Sequence, residues 1–360
     1  MDRALLVFKP KDESKAFNKL IIMFKNYIEN TYMFGKPNLD VLMDLLTAGC
    51  EYKLSTSNVN DVLLILDDEL PRGLTGTFIK QDGFNTIKIN KNSFEKNTNV
   101  FEPLDTLFHE MDHLLNDSIL NCNGRKKGEY LTILKPYTFL TLNNFLMSST
   151  NYNTGITFDD KQIKQLHYIL YHLNNNEANA CLYAYYDVQK TYKAVCDTIT
   201  FENKKINKFF ERKHNDYIIS VDAMQEYRYY LVPAQDKINK KFYELTKKVH
   251  VCLIKKIFDS KMTEADYEAL QNLYQLEFNS NMEKRLFNIA KKRNDLKTMF
   301  IIINHPMFVH NEENLIDTIS LAVYKNVDYD TICESLTNID KDEIVASYKL
   351  ALENKNELSN

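Results

Sequence analysis

The spacing of apolar positions changes character along this chain. Leu39, Leu42, Leu45 and Leu46 recur at helical intervals behind Asn38, a good N-cap, and Gly49 marks an expected stop. Val62 to Leu66 is an unbroken apolar run between Asp61 and Asp67, which predicts a buried strand. Thr75 to Lys80 and Asn85 to Asn90 flank Asp82-Gly83, the signature of a hairpin, and the second arm alternates apolar and polar residues. Helical periodicity returns at Pro103 with Leu104, Leu107, Phe108, Met111, Leu114 and Leu115. A less regular stretch follows, with turn signals at Asn123-Gly124 and Asn153-Thr154-Gly155. Further helices are expected from Asp160 to Leu173 and from Asn176 through Cys181, Ala184 and Val188.

The first hundred residues therefore read as helix, helix, then short strands. Beyond residue 200 strand signals vanish, and Leu286 to Ile303, Leu315 to Tyr324 and Ile344 to Leu352 are all periodic as helices. No fixed-period repeat stands out. The fold class is α+β and mostly helical. A core with a small β-sheet is expected over 1–200, and an all-α domain over 201–360.

Composition adds little beyond globularity. Of 360 residues, 44% are hydrophobic and 26% charged, with 22 Tyr, 21 Phe and no Trp. A net charge of -4 gives no global attraction to nucleic acid or to an acidic membrane. The Lys and Arg enrichment between Lys204 and Lys256 reads as a solvated helix face. The six cysteines are dispersed, with no Cys-x-x-Cys pair, so free thiols in a reducing compartment are expected. No signal peptide and no membrane-length apolar run is apparent, which points to the cytoplasm.

The chemistry concentrates in Leu107-Phe108-His109-Glu110-Met111-Asp112-His113-Leu114-Leu115. Two His four apart project from one helix face on successive turns, so both imidazoles can reach one ion. Glu110 is placed to act as base on a metal-bound water. Both His lie beside the apolar stripe rather than within it, as a half-buried cleft wall requires. A catalytic zinc site needs a third protein ligand. Asp117 continues the series, but eight residues of helix rise about 12 Å, too far for one ion to bridge its ends.

Downstream, Asn175-Asn176-Glu177-Ala178-Asn179-Ala180-Cys181-Leu182 resembles the Glu-Ala-Asn-Ala helix start that follows the zinc helix in ImmA/IrrE-type metallopeptidases, which are gluzincins. The upstream hairpin and the helix from Leu104 to Leu115 fit the same layout. The resemblance covers about residues 38 to 190. It implies that Glu177 is the third ligand, with Ala178 and Ala180 letting its helix approach closely. Two departures stand out. The gap from His113 to Glu177 is long, so an insertion at about 118–160 is expected as a wall or lid. Cys181 also stands where thermolysin-like gluzincins carry an Asp that orients a His ligand. That partner is then expected from elsewhere, with Asp105 and Asp187 both open.

The resemblance implies a zinc-dependent peptide-bond hydrolase acting on a protein or peptide, with one regulatory protein as the target that the family suggests. Zn²⁺ would be held by His109, His113 and Glu177, and Glu110 would be the base. His214 and Tyr217 are candidates for oxyanion stabilisation. His167 and His172, five apart, read as packing or surface residues. The alternative is a regulatory binding module on the same scaffold with a degenerate or structural metal site. Nucleic acid and membrane are not expected partners, and the sequence sets no oligomeric state.

Overall fold

The computed structural model describes residues 3–71, 73–81, 83–94, 99–120, 139–173, 175–226, 236–276, 280–305, 312–337 and 339–357. In chain order these form β1 (Arg3–Phe8), α1 (Glu13–Phe34), α2 (Leu39–Ser55), β2 (Asp61–Asp67), β3 (Gly76–Gln81), β4 (Phe84–Asn90) and α3 (Glu102–Leu120). Then come α4 (Phe139–Ser149), α5 (Asp160–Leu173), α6 (Asn175–Thr198), α7 (Lys204–Glu226), α8 (Asp236–Phe258) and α9 (Glu264–Leu276). The chain continues with α10 (Ser280–Arg293), α11 (Leu296–Ile303), α12 (Glu312–Tyr324), α13 (Tyr329–Ser335) and α14 (Lys341–Glu357). The protein is mostly helical with one small mixed sheet, an α+β architecture.

Two compact units divide the chain: 1–119 with 175–231, and 120–174 with 232–360. A single boundary near residue 200 is therefore replaced by an interleaved one. Helix α7 belongs with the first unit because Phe210 and Tyr217 stack against Phe101, at the head of α3. Part of the expected insertion, residues 121–138, lies outside the described residues. Of the remainder, residues 118 and 119 belong to the first unit, and 120 and 139–160 to the second.

In the first unit the strand order is β1-β2-β4-β3. β1 is antiparallel to β2, β2 parallel to β4, and β3 antiparallel to β4. Leu64, Ile87 and Ile89 of the sheet, Leu42, Leu45 and Leu46 of α2, and Leu104, Leu107, Phe108 and Met111 of α3 are buried in one core with α1. Asn38 caps α2 as expected, but the helix runs on through Gly49 to Ser55. Gly49 is a contact rather than a stop: a Cβ there would lie 2.5 Å from Leu107 Cδ2. Its missing side chain lets α2 and α3 touch.

Within the second unit the turns that join α8 to α9, α10 to α11 and α12 to α13 are closed alike. Each first helix ends on a residue of positive φ, Ser260 (54°), Asn294 (53°) and Asn326 (58°). The next amide reaches back to close the turn in each: Lys261 to Lys256 (2.8 Å), Asp295 to Ala290 (2.9 Å) and Val327 to Ala322 (3.0 Å). Asp295 and Asp328 then cap α11 and α13 through the amides of Thr298 and Thr331. The turns recur roughly every 33 residues, the spacing of a helical repeat array. The sequence concealed this because no glycine marks the turns and the helices differ in length.

Candidate metal centre

Helix α3 carries His109 and His113 side by side, and α6 brings Glu177 to both. The His109 and His113 Nε2 atoms are 3.0 Å apart. The Glu177 carboxylate spans them, Oε2 at 3.4 Å from His109 Nε2 and Oε1 at 3.3 Å from His113 Nε2. The three residues offer ligand atoms all within 4.8 Å of one another. Tetrahedral ligands on bonds of about 2.0–2.1 Å stand roughly 3.3 Å apart, close to the His109–His113 separation and to the contact that each imidazole makes with one oxygen of Glu177. All three side chains are largely buried yet not sealed, at 18%, 14% and 14% exposure.

Burial alone would raise the Glu177 carboxyl, but hydrogen bonds from His109 and His113 hold it well below the usual range. Burial likewise works against a charged His109, while Cys181 and Glu177 beside it raise its pKa well above the ordinary imidazole value. Glu110 is pushed up, first by burial, against the pull of the two His. The nearby Phe78 backbone N–H works the other way, favouring the charged carboxylate. Phe78 belongs to β3, an edge strand. The bond from Asn90 N to Thr75 O fixes which β3 residues face β4, so the backbone groups of Gly76, Phe78 and Lys80 point out of the sheet. A Cβ at Gly76 would lie 2.7 Å from Thr106 Cγ2 and 3.0 Å from Glu110 Cγ. Only glycine lets this edge lie on the helix at Glu110.

Around these three residues, a polar seam joins α3 to α6. Asn116 Nδ2 donates to Asn176 Oδ1 at 2.9 Å, next to Glu177. Cys181 Sγ lies 3.5 Å from His109 Nδ1. Cys181 itself is thus the neighbour of His109, and no replacement from elsewhere in the chain is required at that nitrogen. The Nε2 N–H of His109 faces Glu177; a neutral His109 with its proton on Nδ1 instead would direct that N–H at the sulfur and leave the Nε2 lone pair free to hold a metal. Deeper in, Lys53 of α2 reaches Asp112 Oδ1 and Asp187 Oδ2, both at 2.7 Å. Burial disfavours this ammonium, yet the two carboxylates raise its pKa.

Asp117 pairs with Lys80 of β3 at 2.6 Å and is no part of the triangle. Asp105 accepts a 2.7 Å hydrogen bond from the Tyr217 hydroxyl. Tyr217 is buried in the aromatic core with that hydroxyl engaged, so it is not placed to stabilise an oxyanion. His214 is also turned away from that role: it meets Gln189 Oε1 at 2.8 Å and stacks on Tyr192. His167 lies against Tyr171, as a packing residue would, and the His172 side chain falls outside the described residues. Cys50, Cys181, Cys196, Cys252 and Cys333 are free thiols. Lys53 and Gly76 escaped the sequence reading, and Gly49 was read there as a helix stop. Of these, Lys53 left a signal, a lysine on the buried stripe that runs through Leu42, Leu46 and Cys50.

No protein-family model, curated protein or solved structure matches this chain. Among the described residues, no helix is long and apolar enough to cross a membrane.

Proposed function

We propose that the first unit is a zinc-dependent peptide-bond hydrolase of the gluzincin kind, acting on a protein or peptide. The observation that carries this reading is the convergence of Glu177 from α6 on His109 and His113, with Glu110 between them on α3. Zinc held by those three residues would polarise a scissile carbonyl and lower the pKa of a water molecule. Glu110 takes the proton of the attacking water and delivers it to the leaving amine. Burial raises its pKa, the direction that helps a carboxylate hold a proton before returning it. The outward-facing backbone of β3 receives an extended substrate by strand addition, which places the peptide alongside Glu110. Cys181 and the Asn116–Asn176 pair hold His109 and the start of α6 in register.

Elemental analysis and a hydrolysis assay on unfolded casein test this together, using the parent and Glu110→Gln. About one zinc per chain in both proteins, with cleavage by the parent alone, is the expected result. Zinc without cleavage in either would favour a regulatory module with a structural metal site. No zinc in the parent would overturn the reading.

A further inference from the structure

Away from the metal centre, the second unit carries a groove of about 460 Å³. It runs along all three recurring turns: Ser260 from the first, Asn294 from the second and Lys325 from the third are among its walls. The floor is apolar, with Ile257, Leu296, Phe300 and Val327. The rim is cationic, with Arg293, Lys297 and Lys325.

The cations of these turns are not equivalent. Lys297 is paired with Glu264, and outside the groove Lys256 with Asp266 and Lys291 with Asp317. Arg293 lies 4.5 Å over the Phe258 ring, and among the described residues no carboxylate forms an ion pair with it or with Lys325. The one acid in the wall, Asp295, is already engaged: it accepts from Thr298 N and Oγ1 and from the Tyr267 hydroxyl. A net charge of -4 on the whole chain makes two uncompensated cations beside an apolar floor a local exception. A helix C-terminus attracts lysine and arginine by itself, but that does not account for an apolar trough continued across three separate turns.

We propose that this groove docks an acidic segment of another protein, extended across the three turns, with its carboxylates on Arg293 and Lys325 and an apolar side chain on the floor. Stacked helices lie about 8–10 Å apart, so three turns span roughly 20 Å, or about six extended residues. The apolar floor favours a peptide over a nucleic acid, whose backbone would offer it nothing. This docking does not depend on the metal reading.

The test is fluorescence anisotropy with the full-length protein and a fluorescein-labelled octapeptide, Glu-Glu-Leu-Glu-Glu-Phe-Glu-Glu. The parent is expected to bind it, more weakly at high salt, and not to bind the matching lysine peptide. Arg293→Glu with Lys325→Glu should weaken binding at least about tenfold. Lys341→Glu with Lys349→Glu, which makes the same charge change on exposed positions of α14, should leave it within about twofold. Phe300→Ala should weaken it without changing the salt dependence. Helical circular dichroism verifies that each variant is folded, and the milder Arg293→Gln with Lys325→Gln pair serves if the reversal is not. Absence of binding by the parent, or equal loss in both charge-reversed pairs, would overturn the proposal. So would tighter binding of an oligothymidylate of equal charge, which would assign the groove to nucleic acid.

Discussion

Replacing Lys53 by methionine tests what holds α2, α3 and α6 together. Lys53, Asp112 and Asp187 have side-chain exposures of 9%, 9% and 21%, and the ammonium makes both its ion pairs at 2.7 Å. Methionine fills much the same space but leaves two carboxylates facing each other in the seam. Breaking a buried pair by removing one partner costs about 3–5 kcal/mol, because the remaining charge is left uncompensated. In a unit of this size each kcal/mol lowers the melting temperature by about 2–4 °C, so a loss on the order of 10 °C is expected. Replacing all three by apolar residues, Lys53→Met with Asp112→Leu and Asp187→Leu, should recover most of that loss, since a well-packed apolar seam avoids the desolvation penalty. Scanning calorimetry of the three proteins reads both effects. A drop below about 2 °C in the single variant would refute the argument. A triple variant no more stable than the single one would refute it equally, by showing that packing rather than charge sets the cost.

Other expectations are as concrete. Glu177→Ala should lose zinc on dialysis against a weak chelator while Asp117→Ala keeps it, because Asp117 is held by Lys80; the reverse pattern would remove the ligand assignment. Gly49→Ala should destabilise the first unit by roughly 1–3 kcal/mol, since its new methyl meets the fully buried Leu107; an unchanged urea midpoint would contradict it. Glu283 is fully buried, burial lifts its pKa to about 8, and among the described residues neither oxygen has a hydrogen-bond partner, with His305 Nδ1 at 3.5 Å. The folded form then holds a proton that the unfolded chain releases near pH 4.5, so the second unit should lose stability as pH rises from about 5 to 8. The loss is at most about 1.4 kcal/mol per pH unit. Glu283→Gln should flatten that dependence in urea titrations, and an equally steep profile in the variant would exclude Glu283 as its source.

What the sequence disclosed was mostly local. The hairpin around Gly83, the helix from Glu102 and the helices Asp160–Leu173 and Asn175–Thr198 follow from periodicity and caps, which are properties of neighbouring residues. Strand β1 was missed because it is stabilised by pairing with β2, more than fifty residues away. Gly49 was misread for a related reason: locally it looks like a helix end, and only its contact with Leu107 explains it. At the site, the pair of His was legible from spacing. Glu177 was reached only through a resemblance, because helix periodicity does not say which distant acid will arrive.

The interleaving of the two units has a consequence for the birth of the protein. Chain synthesis runs at about 5–20 residues per second, so Glu177 follows His113 out of the ribosome by roughly 3–13 s. In that interval α3 exposes an apolar stripe and two imidazoles with no carboxylate to meet them. Helix α7, whose Tyr217 binds Asp105 beneath the same helix, arrives later still. The first unit therefore cannot close in the order in which it is made. It must stay open while residues 120–174 of the other unit pass, and a nascent chain cut off near residue 200 would lack the aromatic wall that seats the head of α3.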